Sequence, residues 1–197
     1  MAAASPASNG ALVAALRAAT NDARAELDRR LALRAETLTL PGYVSFLRAS
    51  GSFVAPLEAA IACWLGVAAD GLTRTSAIHA DLVALGASEA PPASVPALRS
   101  IADAMGAAYV LEGSAVRGLF IARSVAKALG NAAPRRYLEL RGDRTTDRWR
   151  DFVVTLETWG ASATPAARTS ACDTARATIA ACASTFAAAV SLPPPAP

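Results

Sequence analysis

The stretch Tyr109–Gly130, YVLEGSAVRGLFIARSVAKALG, has the composition of a single helix, yet Gly113 and Gly118 lie in its interior. An interior glycine costs a helix about 1 kcal/mol relative to alanine. Two arrangements offset that cost: a neighbouring helix that comes very close, or a flat ligand lying against bare backbone. The residues of this stretch leave both open. Either one makes this helix the centre of whatever the chain folds into.

The rest of the chain is composed for helices. Apolar residues make up 53% of its 197 positions, and alanine supplies much of that share. Alanine is the best helix former and a poor strand former, so an all-α fold is expected. The length suits one domain with tails and is enough to bury a core. A net charge of +3 is too small to imply nucleic acid. The basic residues are scattered apart from one cluster, Arg135–Arg150, which reads as a solvated face or a docking face for an acidic partner.

Cys63, Cys172 and Cys182 show no metal-ligand or redox spacing. Along one helix Cys172 and Cys182 stand about 15 Å apart, beyond disulfide reach. Buried thiols in a reducing compartment are expected. The N-terminus MAAASPASNG has no basic segment and no apolar core of a signal peptide. The most apolar window, Phe53–Ala69, is interrupted by Pro56 and Glu58 and is short for a bilayer span. A soluble, cytoplasmic protein is expected.

In chain order, residues 1–9 are small and polar and are expected to be disordered; residues 10–190 form the helical domain and residues 191–197 a flexible Pro-rich tail. Asn9 or Ser8 is placed to cap a first helix running to about Leu33. Its apolar face is Leu12, Leu16, Thr20, Ala23, Leu27 and Leu31, with Arg24 beside it. Pro41 suits the first turn of a second helix, in which Gly51 and Pro56 predict a kink or a division. A helix follows over 72–85, then a loop rich in proline and small residues, GASEAPPASVPAL, and a short helix from about Val95 to Met105. Beyond the glycine-bearing helix come the basic segment RRYLELRGDRTT, a helix over 146–160, and a last helix opened by Thr164-Pro165. The expected architecture is seven or eight helices around one core.

No paired carboxylates, no Ser-His-Asp arrangement and no phosphate loop are present. The single histidine, His79, reads as a surface or packing residue.

The segments LRAAT (16–20), YVSFLRASGSFVAPLE (43–58), DLVALG (81–86), YVLEGS (109–114), RWRDFVVTLE (148–157) and TPAA (164–167) fall in an order and spacing that resembles the bacterial haem oxygenases. The likeness is greatest to the type that makes biliverdin for bacterial phytochromes, and it covers about residues 11–186. The resemblance implies a single-domain all-α haem-oxygenase-like bundle. It also implies haem as ligand, sandwiched between the first helix and the glycine-bearing helix. The implied reaction is oxygen-dependent opening of haem to biliverdin, carbon monoxide and iron, with electrons from a ferredoxin- or flavin-type reductase. Gly113 and Gly118 would then let backbone approach the ring. Arg17 and Arg150 match basic positions that meet haem propionates, a role suited to a bidentate guanidinium.

Two positions depart from the family. Its proximal iron ligand is a histidine four residues after the Thr of LRAAT; here that residue is Arg24. Arginine stays protonated and has no lone pair to offer iron. Arg117 replaces the first glycine of a distal pair and leaves only Gly118. Three readings remain open from the residues. Arg24 and Arg117 pair with acids such as Glu26, Asp28 or Glu112, or reach solvent along their stems, over a collapsed pocket or a partner-binding helical domain. Alternatively, the pocket persists and takes a metal-free tetrapyrrole or another anionic ligand. In the third, some haem chemistry persists, with iron held by another residue or by water. Impaired or lost catalysis is expected.

Overall fold

The computed structural model describes residues 10–30, 35–66 and 73–191. Six α-helices and one 3-10 turn account for the order among them: α1 Ala11–Arg30, α2 Leu40–Leu65, α3 Arg74–Ala84, α4 Ile101–Leu129, the 3-10 turn Gly142–Arg144, α5 Thr145–Ser162 and α6 Pro165–Ser191. The predicted cap residues Ser8 and Asn9, and the predicted tail from residue 192 on, lie outside the described residues.

Helix starts here are built by side-chain oxygens, some of them supplied from far away in sequence. Thr39, Thr73 and Thr164 accept from the amides of Gly42, Ser76 and Ala167 at 3.2, 3.1 and 3.2 Å. Each satisfies one of the amides that a helix N-terminus leaves without a partner. Glu58 of α2 adds a second cap to α3. Its carboxylate accepts from the amides of Arg74 and Thr75, both at 3.0 Å, and from the Thr75 hydroxyl at 2.7 Å. Glu157 of α5 does the same for α1, accepting from Leu12 and Val13 at 3.3 and 2.7 Å. A carboxylate at a helix N-terminus is favoured by the macrodipole as well as by the hydrogen bonds.

Two sequence expectations need correction. The predicted short helix over 95–105 and the glycine-bearing helix are one element, α4. Its start is set by Ser100, whose hydroxyl accepts from the Asp103 amide at 3.1 Å, while Asp103 accepts from the Arg99 amide at 2.8 Å. The pair resembles a capping box, with the return bond to the Arg99 amide one residue before the cap, and it places the first helical turn at Ile101 rather than Val95. The prolines at 91, 92 and 96 hold the preceding stretch extended. The count is therefore six helices rather than seven or eight among the described residues.

The second correction is that α2 is unbroken across Gly51 and Pro56. Pro56 cannot donate to the Ser52 carbonyl, and that freed carbonyl accepts from the Ala93 amide at 2.9 Å. The Ser52 hydroxyl donates to Pro91 O at 2.6 Å. The proline thus turns a missing helix bond into an anchor for the 87–99 loop. At Gly51 an added Cβ would sit 3.1 Å from Ile78, so the glycine allows α3 to approach. The unbroken helix is long and apolar enough by composition to cross a membrane, but 44% of its most apolar window is buried inside the fold. That burial is what a core helix requires.

The core has two parts. One gathers Tyr43, Leu47, Leu57, Ile78, Leu82 and Val125 between α2, α3 and α4. The other gathers Leu12, Leu16, Met105, Tyr109, Leu156 and Ala175 between α1, α4, α5 and α6. Each side chain of this size, fully buried, contributes roughly 1.5–3 kcal/mol. Within α5, Leu156 is fully buried while Trp149, Phe152 and Trp159 are partly covered.

Helix α4 packs on α2, α5 and α6 and so stands at the centre. Its tightest approach is at Gly106, where any Cβ would overlap the Ala171 carbonyl of α6. Gly160 of α5 faces Leu12 in the same way, its Cβ position lying 2.8 Å from Leu12 Cδ2. The segment after α4 is held down by buried Asp81, which accepts from the amides of Arg136 and Tyr137 at 3.0 and 2.9 Å. The Tyr43 hydroxyl adds a bond to Pro134 O at 2.8 Å.

Gly106→Ala is expected to destabilise by about 1–3 kcal/mol, as overpacking against backbone does. Gly113→Ala is expected to stabilise by about 0.5–1 kcal/mol, since its Cβ would meet Trp149 and Arg24 only at ordinary distances of 3.6 and 3.7 Å. Urea midpoints of the two variants should therefore move in opposite directions.

Asp103 gives a pH signature. Burial pushes its carboxyl up, but hydrogen bonds from Ser170, the Arg99 amide, Ser100 and Thr174 outweigh it and hold the group below the usual carboxylate range. Its folded pKa is thus depressed relative to an unfolded value near ~3.9. The stability it contributes is present above that value and is lost as pH falls through the folded one. Asp103→Asn should narrow the difference in urea midpoint between about pH 6 and pH 3.

Candidate functional site

A cavity of about 120 Å³ lies between the second half of α1 and the middle of α4, floored by α2 and α6. Leu27, Phe46, Phe53, Leu111, Ile121 and Phe186 give it an apolar lining. Segment 137–141 and Thr145 close one side, held there by the Asp81 and Tyr43 bonds described above. Pockets for drug-sized ligands run roughly 300–1,000 Å³, so a large flat ligand requires α1 and α4 to part.

Charge distinguishes this cavity from ordinary core. Arg24, Arg74, Arg117 and Arg141 line it with a single acid, Asp28. Arg74 is buried and neutralised from outside the lining, with Nη2 3.0 Å from Glu112 and Nη1 3.7 Å from Glu58. Arg117 of α4 is ion-paired with Asp28 of α1, and its Nε is buried with no hydrogen-bond partner. Arg24 is half-buried and lays its guanidinium 5.7 Å from the centre of the Tyr109 ring, a cation–π contact. Among the described residues it is in no ion pair. Tyr109 is itself backed by Trp149, and Trp149 by Phe152, with ring centres 5.7 and 6.0 Å apart.

The sequence-predicted site residues separate into two groups. Arg24, Arg117 and Gly118 line the cavity together. Gly118 also admits the 138 backbone, since its Cβ position is 3.1 Å from Leu138 O. Arg17, Arg150 and Gly113 do not line the cavity. Arg17 is exposed on α1, and Arg150 is exposed on α5 and paired with Asp147 at 2.9 Å. Gly113 sits beside Trp149 and Arg24. Of the acids predicted as partners, Asp28 takes Arg117, Glu112 takes Arg74 and, at 3.5 Å, Arg148, and Glu26 takes Arg29. Several arginines of the basic segment serve the fold. Arg135 donates to the carbonyls of Gly130, Asn131 and Ala133, and Arg148 reaches Glu112.

Sequence reasoning missed Arg74, Tyr137, Leu138 and Cys182 as cavity residues. Their partners lie on other helices, so no local spacing marks them. Burial pushes both the Tyr137 phenol and the Cys182 thiol up to about 12. His79 is far from this chemistry, exposed on α3 and paired with Glu89 at 2.8 Å. The expectation of buried thiols holds in part: Cys172 and Cys182 are partly covered, whereas Cys63 is exposed.

The donor set decides whether a haem iron fits here. The chain has one histidine, and it is outside the cavity. Arg24 offers no lone pair. Of the other donors among the described lining residues, the Asp28 carboxylate is engaged by Arg117, and Tyr137 and Cys182 are neutral at pH 7 and would have to ionise against a mostly apolar wall. These residues do not fit a ligated haem.

No family model matches the sequence, and no curated protein matches it. Among solved structures, the NO- and CO-bound haem oxygenase of Neisseria meningitidis superposes with a TM-score of 0.72, covering 94% of each chain at 21% identity. The chain therefore has the haem-oxygenase fold, and likeness at that identity speaks for the fold alone.

Thiol labelling tests the closure of the cavity. In native protein a dithiobis-nitrobenzoate assay should show one fast thiol, Cys63, while Cys182 reacts orders of magnitude more slowly until denaturant is added. Fast labelling of Cys182 in native protein would mean that α1 and α4 stand open.

Proposed function

We propose that this protein is a divergent relative of the haem oxygenases that no longer opens haem and instead binds an apolar anionic ligand, with metal-free tetrapyrroles such as biliverdin as the class that best suits the fold. The observation that carries this reading is Arg24. It occupies the cavity wall at the position where the resemblance places an imidazole, it cannot ligate iron, and it is in no ion pair among the described residues. A guanidinium in an apolar wall without a carboxylate is a site for one. Arg117, paired with Asp28, adds a second guanidinium to the lining from the opposite helix. Hydrogen bonds between a guanidinium and a carboxylate are among the stronger polar contacts, about 1.5–3 kcal/mol each. On this reading the basic segment 135–150 has no reductase to serve.

A second reading, a helical domain whose pocket has collapsed, is favoured by the small volume of 120 Å³ and by the Arg117–Asp28 pair that joins the two walls.

Three titrations separate these readings. Wild-type protein with hemin should give no sharp Soret band and no decay of one under ascorbate and oxygen. Biliverdin should bind, with a shifted absorption spectrum, and Arg24→Ala should weaken it about tenfold or more. Arg24→His, alone or with Arg117→Gly, should gain a hemin Soret band. Turnover of hemin by the wild type would overturn the proposal, and failure of both pigments in wild type and double variant would favour the collapsed pocket.

A further inference from the structure

A second cavity, about 320 Å³, opens between α2, α4 and α5 on the far side of Arg74, Leu111 and Arg141, which line both spaces. Its body is apolar: Ile61, Leu65, Met105, Ala108, Leu111 and Phe152. Its charged residues are Arg74, Arg141 and Arg148 against Glu58 and Glu112.

Both acids are already engaged. Glu58 caps α3 through two amides and a hydroxyl. Glu112 is bridged by Arg74 at 3.0 Å and reached by Arg148 only at 3.5 Å. Arg148 is therefore weakly held. Its Nε is buried with no hydrogen-bond partner, while its side chain as a whole is 38% exposed. The exposed part of the side chain is therefore other than Nε. The two terminal nitrogens of an arginine form an edge that grips a carboxylate through two parallel bonds.

The geometry points to a second, independent binding site in this α2/α4/α5 cavity, for a small monocarboxylate with a compact apolar body, held by Arg148 at its rim and by Phe152, Met105 and Ile61 within. The volume is at the low end of small-molecule pockets, roughly 300–1,000 Å³, which suits a benzoate- or hexanoate-sized acid. The site does not involve Arg24 or Arg117, so it stands whether or not the first cavity binds a pigment.

The test is a saturation-transfer NMR and calorimetric titration of the full chain with benzoate and hexanoate, each beside its neutral counterpart, benzyl alcohol and hexanol. The acids should bind at least about tenfold more tightly than the alcohols, and Arg148→Gln should abolish that preference. Arg148→Lys, which keeps the charge but loses the two-pronged edge, should lose most of it. Arg24→Ala should bind both acids as the wild type does. Should the arginine variants unfold, Ala62→Leu, which fills the cavity and leaves Arg148 in place, should still exclude both acids. Equal binding of acid and alcohol, retention of acid binding in Arg148→Gln or Ala62→Leu, or no binding to the wild type at millimolar acid would each overturn the assignment.

Discussion

Backbone amides and arginines compete in this chain for a small number of inward-facing carboxylates, and the amides take most of them. Asp81 is spent on Arg136 and Tyr137, Asp103 on Arg99 and the α6 hydroxyls, Glu157 on the start of α1 and much of Glu58 on the start of α3. These bonds tie elements that are distant in sequence: α5 to α1, α2 to α3, α3 to the segment closing the cavity. Among the inward-facing acids of the described residues, Glu112 and Asp28 are left chiefly to arginine. The surplus of positive charge in the interior follows from that allocation. A buried carboxylate accepting two amides is worth more to the fold than one half of an ion pair, because unpaired buried amides are expensive.

The helical class, most helix positions and the central role of the glycine-bearing segment were legible in the sequence because each rests on short-range pattern. Alanine content, apolar spacing and the Thr164-Pro165 start signal are local quantities. The errors lay where a signal was local but its meaning was tertiary. Pro56 reads as a break, and its freed carbonyl is in fact claimed by Ala93. Val95–Pro96 reads as a helix start, and the Ser100–Asp103 pair seen in the structure outranks it. The glycine with the greatest steric demand, Gly106, lies outside the stretch that drew attention, because only the neighbouring backbone at Ala171 reveals it.

The site divides along the same line. Arg24 and Arg117 were found because a family pattern marks their positions, and the structure brings both to one cavity. Their partners were only partly foreseen: Asp28 serves Arg117, while Arg24 rests on the ring of Tyr109 rather than on a carboxylate. An aromatic face stabilises a cation without neutralising it, so the charge remains available to a ligand. Arg74, Tyr137 and Cys182 were invisible beforehand, since burial and partners from other helices give them their character.

The wall between the two cavities consists of Leu111, Arg141 and Arg74, the last held by Glu112. Because Glu112 and Glu58 already balance that guanidinium, it needs no counter-ion from either side, and the partition insulates one chamber from the other.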